Sequence, residues 1–466
     1  MSGTDSKREG TSAESILSCE LLSNGVTLIN DYRPSVDDVA VFLVVRRGSR
    51  NETPATAGLA HVLEHLFFDG TSTRSARQIS EEFSRLAARS NAFTGVEMVA
   101  YHAYAPARLQ LSGGRVADTL APLAAIFSDM VLNSRLDPDE VAGELNIVLQ
   151  EYASEMEDPE GWLGSAVHRV AWGGDQSLAW DPLGRVEVIR SLDRAHLAAY
   201  RDQFYLAGDM ALVVSGGDRM GLSQAQELLG QLPSGSSIPS HPAPVLWGQG
   251  SAREVDIRSS SSPEEQCSFV VALPGCGWDE PEIYSTVMTA AVLGGSDASR
   301  LFQVVRQREK LAYGAYASHD SYQGTGVFMI DAATLPADAP RAVALCSAEL
   351  RQLAHDGLAA EELELHQRSV YGAAVLSGLT AEQRAEHLAY RWARHQELQS
   401  PMAAAAPLLS VTPGEIQEVA GQLVAAIDDG LARLVMVSPV DLSRELELAL
   451  REPQTVLGRG ANRASA

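Results

Sequence analysis

A stretch rich in proline, serine and glycine interrupts this chain near its middle. Residues 230–252 contain Pro233-Ser234-Gly235-Ser236-Ser237 and Pro242-Ala243-Pro244, residue types that break helical and strand periodicity and suit a connection. A chain of 466 residues is too long for one ordinary core, so two domains are expected. The division constrains the fold further because similar elements recur on both sides of it. Before it, residues 39–45 predict a buried strand, 61–68 a helix, 75–89 a second helix, 91–94 and 98–102 a strand pair, and 210–216 a late strand. After it, 268–273 predict a strand, 283–293 a helix, 294–310 a glycine-rich loop and helix, 312–319 and 326–334 a strand pair, 337–354 and 361–377 helices, and 433–438 a late strand. A duplicated α+β unit follows: two homologous α/β half-units, each an antiparallel-rich sheet covered by helices. The expected organisation is a tail over 1–14, a first domain over 15–229, a linker over 230–252, a second domain over 253–450 and a tail over 451–466.

Local signals fill in the first half. Ser23-Asn24-Gly25 predicts a hairpin turn between two short strands in 21–31. Residues 108–132 predict helix apart from the pair Gly113-Gly114. Asp137-Pro138 predicts the start of a helix, with Asp137 as cap and Pro138 in the first turn. Asp181-Pro182-Leu183-Gly184 predicts a turn, and 194–205 a helix. Gly294-Gly295-Ser296 lacks the Gly-Lys-Ser/Thr ending of a phosphate loop and predicts only a turn and cap.

One stretch points to chemistry. In Gly58-Leu59-Ala60-His61-Val62-Leu63-Glu64-His65-Leu66-Phe67-Phe68 nothing breaks the helix from His61 onward. His61 and His65 are four apart and lie one turn apart on one face, so both imidazoles can reach one ion. Zinc accepts two such ligands with a carboxylate and a water. Glu64 is placed to act as general base without ligating the metal. The helix that starts at Asp137 carries Glu144 and Glu151 on one face, seven residues apart, and Glu151 is the expected third ligand.

Composition narrows the partners. The net charge is −24, which repels nucleic acid. The four cysteines, Cys19, Cys267, Cys276 and Cys346, have no close-paired spacing, so reduced, packing thiols are expected. Residues 1–14 are polar and lack the apolar run of a secretory signal, and no run of about 18 apolar residues is present to span a membrane. A cytoplasmic location is the expectation.

The chain closely resembles the pitrilysin-like peptidases, the inverted-motif zinc proteases, a group that includes insulin-degrading enzyme and the mitochondrial processing peptidase. The resemblance runs from about residue 16 to 440. It is carried by Leu22-Ser23-Asn24-Gly25, Gly48-Ser49-Arg50-Asn51-Glu52, the His61–His65 motif, Asn91-Ala92-Phe93-Thr94, Glu144 through Glu151 and Asp181-Pro182-Leu183-Gly184. Leu293-Gly294-Gly295, Ser299-Arg300-Leu301-Phe302, Arg306 and Leu311-Ala312-Tyr313 continue it in the second half, where no His-x-x-Glu-His occurs. The short two-domain members, similar to processing-peptidase subunits and their bacterial homologues, are the best match. The gap from His65 to Glu151 is longer than the family pattern, and the extra length falls near 104–116.

What the resemblance implies is a metalloendopeptidase holding one Zn2+ per chain on His61, His65 and Glu151. Glu64 would be the base and Glu144 a supporting carboxylate. Arg306 and Tyr313 would bind substrate and stabilise the transition state, and Asn91 and Ala92 would lie on an edge strand that the substrate backbone joins. Because long members use four such units and this chain supplies two, a homodimer enclosing a chamber is expected, with Arg306 and Tyr313 serving the partner's site; a heterodimer with a related chain is the alternative. The substrate would be a short or unfolded peptide. A dedicated leader-peptide processing protease and a non-catalytic scaffold subunit are the other readings.

Overall fold

The computed structural model describes residues 16–173, 176–217, 222–237, 245–248, 250–258 and 266–461; the tail expected over 1–14 lies outside them. Ile16–Leu21 (β1) and Thr27–Tyr32 (β2) pair antiparallel around a turn that Gly25 makes at φ +108. Asp38–Val45 (β3) is buried from Val39 onward. Leu59–Phe68 (α1), Ala76–Arg85 (α2), Arg89–Thr94 (β4) and Val99–Pro106 (β5) follow. Residues 108–132 are not one helix, contrary to their predicted state. Arg108–Gln110 (β6) and Val116–Asp118 (β7) form a small hairpin, turned by Gly113 and Gly114 at positive φ, and helix α3 covers Leu120–Asn133. Strands of three residues are too short for alternation to reveal. Pro138–Glu157 (α4), Pro159–Ala171 (α5) and Met210–Gly216 (β8) complete the first half.

The second half contributes Arg253–Ile257 (β9), Cys267–Gly275 (β10), Ala312–Tyr322 (β11), Thr325–Thr334 (β12) and Arg433–Ser438 (β13). Within the helix predicted over 294–310, Phe302–Arg308 is a π-helical segment. The chain leaves it through Lys310 at φ +58. The helix Pro453–Ala461 occupies part of the expected C-terminal tail, where Val456 and Leu457 pack against the second core. The described parts of 230–252 are tied down: Gly235 O accepts from Gly208 N at 2.7 Å, and Trp247 Nε1 donates to Leu431 O at 2.9 Å. Residues 238–244 and 249 of that stretch lie outside the description. All four cysteines are free.

Two sheets result. The first has the order β1-β2-β8-β3-β5-β4 and the second β11-β12-β10-β13-β9. In the first only β2 and β8 run parallel, and in the second only β9 and β13. Setting β4, β5, β3, β8 and β2 against β11, β12, β10, β13 and β9 gives the same order and the same strand directions. The halves are therefore two copies of one unit, with β1 added to an edge of the first.

Each sheet buries one face against helices of its own half. The other face is covered by a helix lent from the other half. On α5, Leu163, Ala166, Val167 and Val170 pack with Val270, Ala272, Val435 and Val437 of the second sheet. The helix Ala381–His395 lays Ala385, Leu388, Ala389 and Trp392 over Ala40, Phe42, Val44 and Val213 of the first. A fully buried Val or Leu is worth about 1.5–3 kcal/mol, so both exchanges contribute substantially. The second is also pinned by charge. Arg384 grips Asp31 with Nε to Oδ2 at 3.0 Å and Nη2 to Oδ1 at 2.9 Å, and Ser215 Oγ donates to the same carboxylate at 2.9 Å. Asp31 is fully buried. Among the described residues no helix is long and apolar enough to cross a membrane.

Candidate metal centre

Helix α1 begins without a side chain of its own to cap it. Gly58 holds the cap position at φ +102, a backbone state that glycine adopts at little cost. Glu52, six residues upstream, supplies the missing acceptor: Oε2 takes the N–H of Gly58 and Oε1 that of Ala60, both at 2.8 Å. Its carboxyl is buried, and burial lifts it to about 8. The predicted turn at 181–184 closes through Gly184 N to Asp181 O at 2.8 Å. A Cβ on Gly184 would fall 2.3 Å from Gly58 Cα, so this turn braces the start of α1.

Helix α4 opens as the sequence predicts, with Asp137 accepting from Asp139 N at 3.0 Å and Pro138 in the first turn. It runs beside α1 and carries Glu144 and Glu151 toward it. His61 Nε2 lies 3.7 Å and His65 Nε2 3.5 Å from Glu151 Oε2, and one ligand atom from each of the three lies within 4.8 Å of the others. A tetrahedral ion with bonds of about 2.0–2.1 Å separates neighbouring donors by about 3.3–3.5 Å, so the two histidine–Glu151 separations suit a zinc-sized ion. Among the described residues this is the one group of histidine, cysteine and carboxylate side chains with such spacing.

The surroundings suit ligation. Burial and the nearby His65 lower the His61 imidazole to about 4, which keeps it neutral. Glu144 Oε2 sits 3.0 Å from His65 Nδ1, an arrangement that would hold the proton on Nδ1 and leave Nε2 to ligate a metal. His61 Nδ1 is buried and has no partner among the described residues. Glu151 is half-exposed. Glu64 is buried, and burial raises its carboxyl above the usual range, opposed by a hydrogen bond from Thr94 and by the charge of His65. Thr94 Oγ1 donates to Glu64 Oε2 at 2.6 Å.

The remaining residues singled out in the sequence are not part of the ligand cluster. Asn91 and Ala92 sit on β4, the outer strand of the first sheet, with Asn91 exposed. Arg306 lies on the π-helical segment and Tyr313 on β11, the outer strand of the second sheet. The Arg306 guanidinium stands 5.1 Å over the Tyr313 ring. Tyr313 is 82% exposed, and among the described residues no hydrogen bond, ion pair or ring contact joins this pair to His61, His65 or Glu151. Glu52 and Thr94 are contributors that residue spacing does not reveal. Their only sequence signal is membership in the matched stretches 48–52 and 91–94.

A metal-type cluster on the inverted motif, set in a duplicated α+β unit, fits a zinc metallopeptidase architecture. The family model "Insulinase (Peptidase family M16)" matches residues 27–179, and "Peptidase M16 inactive domain" matches 191–370. The chain belongs to peptidase family M16. Relatives include two uncharacterized zinc proteases, one of Rickettsia felis, 31% identical over 67% of this chain and 72% of that one, and YmxG of Bacillus subtilis, 29% identical over 76% and 82%. A crystal structure of a protease from Helicobacter pylori superposes with a TM-score of 0.78 at 17% identity, covering 91% of this chain and all of that one. An M16 inactive domain from Pseudomonas fluorescens gives 0.77 at 18% identity, over 91% of this chain and 98% of that one.

Proposed function

We propose that the chain is a zinc-dependent endopeptidase acting on short or unfolded peptides. The observation that carries this reading is the donor spacing of His61, His65 and Glu151 with Glu64 beside them. Zinc held there supplies the Lewis acidity that polarises a scissile carbonyl and makes water nucleophilic near neutral pH. Glu64 takes the proton of the attacking water and passes it to the leaving amine. The free edge of β4, at Asn91 and Ala92, holds the peptide backbone as an added strand, which makes recognition of sequence loose. The Tyr313 hydroxyl is suited to donate to the developing oxyanion, with Arg306 beside it.

The reading extends to a homodimer. Within one chain Tyr313 is exposed and Arg306 half-buried beside it, and among the described residues no bond or ring contact joins the pair to the metal cluster, which suits delivery to a partner's centre across a shared chamber. The test is cleavage of an internally quenched unstructured peptide. Chelation should abolish it, zinc should restore it, and Glu64→Gln should retain zinc yet lose about 10²–10⁴-fold in rate. Zinc-loaded protein that cleaves no peptide would overturn the reading. Mixing Glu64→Gln with Arg306→Ala should restore cleavage; confirmed mixed dimers without rescue would overturn the sharing in trans.

A further inference from the structure

Thr94 lies outside the ligand set yet makes the shortest contact to the proposed base, 2.6 Å from its hydroxyl to Glu64 Oε2. Alternation along β4 turns Ala92 and Thr94 to the face that meets α1, and Ala92 packs against the first core. Phe93 turns the other way and stacks on Tyr390 of the helix lent by the second half, with ring centroids 6.0 Å apart. Three residues beyond Thr94, in the turn between β4 and β5, Glu97 is clamped from both halves. Its Oε1 accepts from Arg50 Nη1 at 2.7 Å and from Gln323 N at 2.9 Å, and its Oε2 accepts from Trp278 Nε1 at 2.9 Å. Arg50 Nη2 also reaches Gln323 O at 2.7 Å. Strand β4 is thus fixed at its turn by the second half, bonded on one edge to β5, and free on the other.

We infer that Thr94 is a positioning residue for Glu64, and that the β4–β5 hairpin carrying it is set in place by the second half through Glu97. The strand offered to the peptide backbone and the strand that aims the base are one strand, so seating of the substrate and aiming of the base share a single rigid part. A hydroxyl donor that occupies Oε2 leaves Oε1 of Glu64 as the oxygen available to a water proton. The second half, which lacks a metal motif, gains a role in the chemistry of the first. This rests on the reading of Glu64 as base.

The experiment compares Thr94→Val, which keeps shape and removes the donor, with Thr94→Ser, which keeps the donor. Zinc-loaded protein and the same quenched peptide are used, with Glu64→Gln as the blank. Thr94→Val should lower kcat by about tenfold or more with KM changed less than about twofold. Zinc affinity, read by isothermal titration into metal-free protein, should not move. Thr94→Ser should recover kcat to within about threefold of wild type, and Glu97→Gln should lower kcat in the same direction as Thr94→Val. An unchanged kcat in Thr94→Val, or a Ser variant as impaired as the Val variant, overturns the positioning role; an unchanged kcat in Glu97→Gln overturns the clamp. Wild-type protein without Glu64-dependent cleavage sinks the reading of the site itself, whereas Glu64-dependent cleavage indifferent to Thr94 sinks this inference alone.

Discussion

Replacing Arg384 with methionine tests whether the exchange of helices between halves is fastened by a buried charge. In the structure Asp31 is fully buried and accepts two hydrogen bonds from the Arg384 guanidinium and one from Ser215. Methionine fills much of the same volume but leaves the carboxylate with the Ser215 hydroxyl alone. Removing one partner of a buried pair costs about 3–5 kcal/mol, because the other charge stays desolvated. Urea unfolding followed by circular dichroism should therefore show a loss near the middle of that range. Changing both residues to apolar ones of similar size, Asp31→Leu with Arg384→Met, should recover most of it, because the stranded charge is gone. If Arg384→Met stays within about 1 kcal/mol of wild type, the pair behaves as a surface ion pair and the fastening argument is wrong.

Glu144→Gln should weaken zinc binding by about 10–100-fold while leaving the fold intact, read by competition with a chromophoric chelator; unchanged affinity would remove Glu144 from the metal's support. Burial lifts Glu52 from 4.5 to about 8, so between those values the folded state binds more protons than the unfolded one. Stability from this group is full below about pH 4.5 and falls as the pH rises toward 8. Glu52→Gln lacks that titration, so the stability of wild type minus that of the variant should decline across this window, and a flat difference in pH-dependent denaturation would refute it.

Much of the architecture is legible in the sequence because it rests on local pattern. The apolar run at Val39–Val45, the turn at Gly25 and the Asp137-Pro138 start all appear in the structure at or within a few residues of their predicted places. The one-turn spacing of His61 and His65 is likewise local, and the face shared by Glu144 and Glu151 follows from helix geometry. What stays hidden is set by contacts distant in the chain. Nothing around Ala381–His395 says that its apolar face belongs to the other half's sheet, since amphipathicity names a buried face but not what buries it. The Thr94–Glu64 bond spans 30 residues, and Glu52 caps a helix from outside the usual cap position. The β6–β7 hairpin is too short to show a period.

The reciprocal lending of α5 and of the helix Ala381–His395 decides where such a molecule can give way. Produced alone, either half would display a bare apolar sheet face and an orphaned apolar helix, so the halves are not independent modules. Swinging them apart would mean lifting both helices from their beds at once. A single molecule is thus a double clasp, whose halves separate only if both helices are released together.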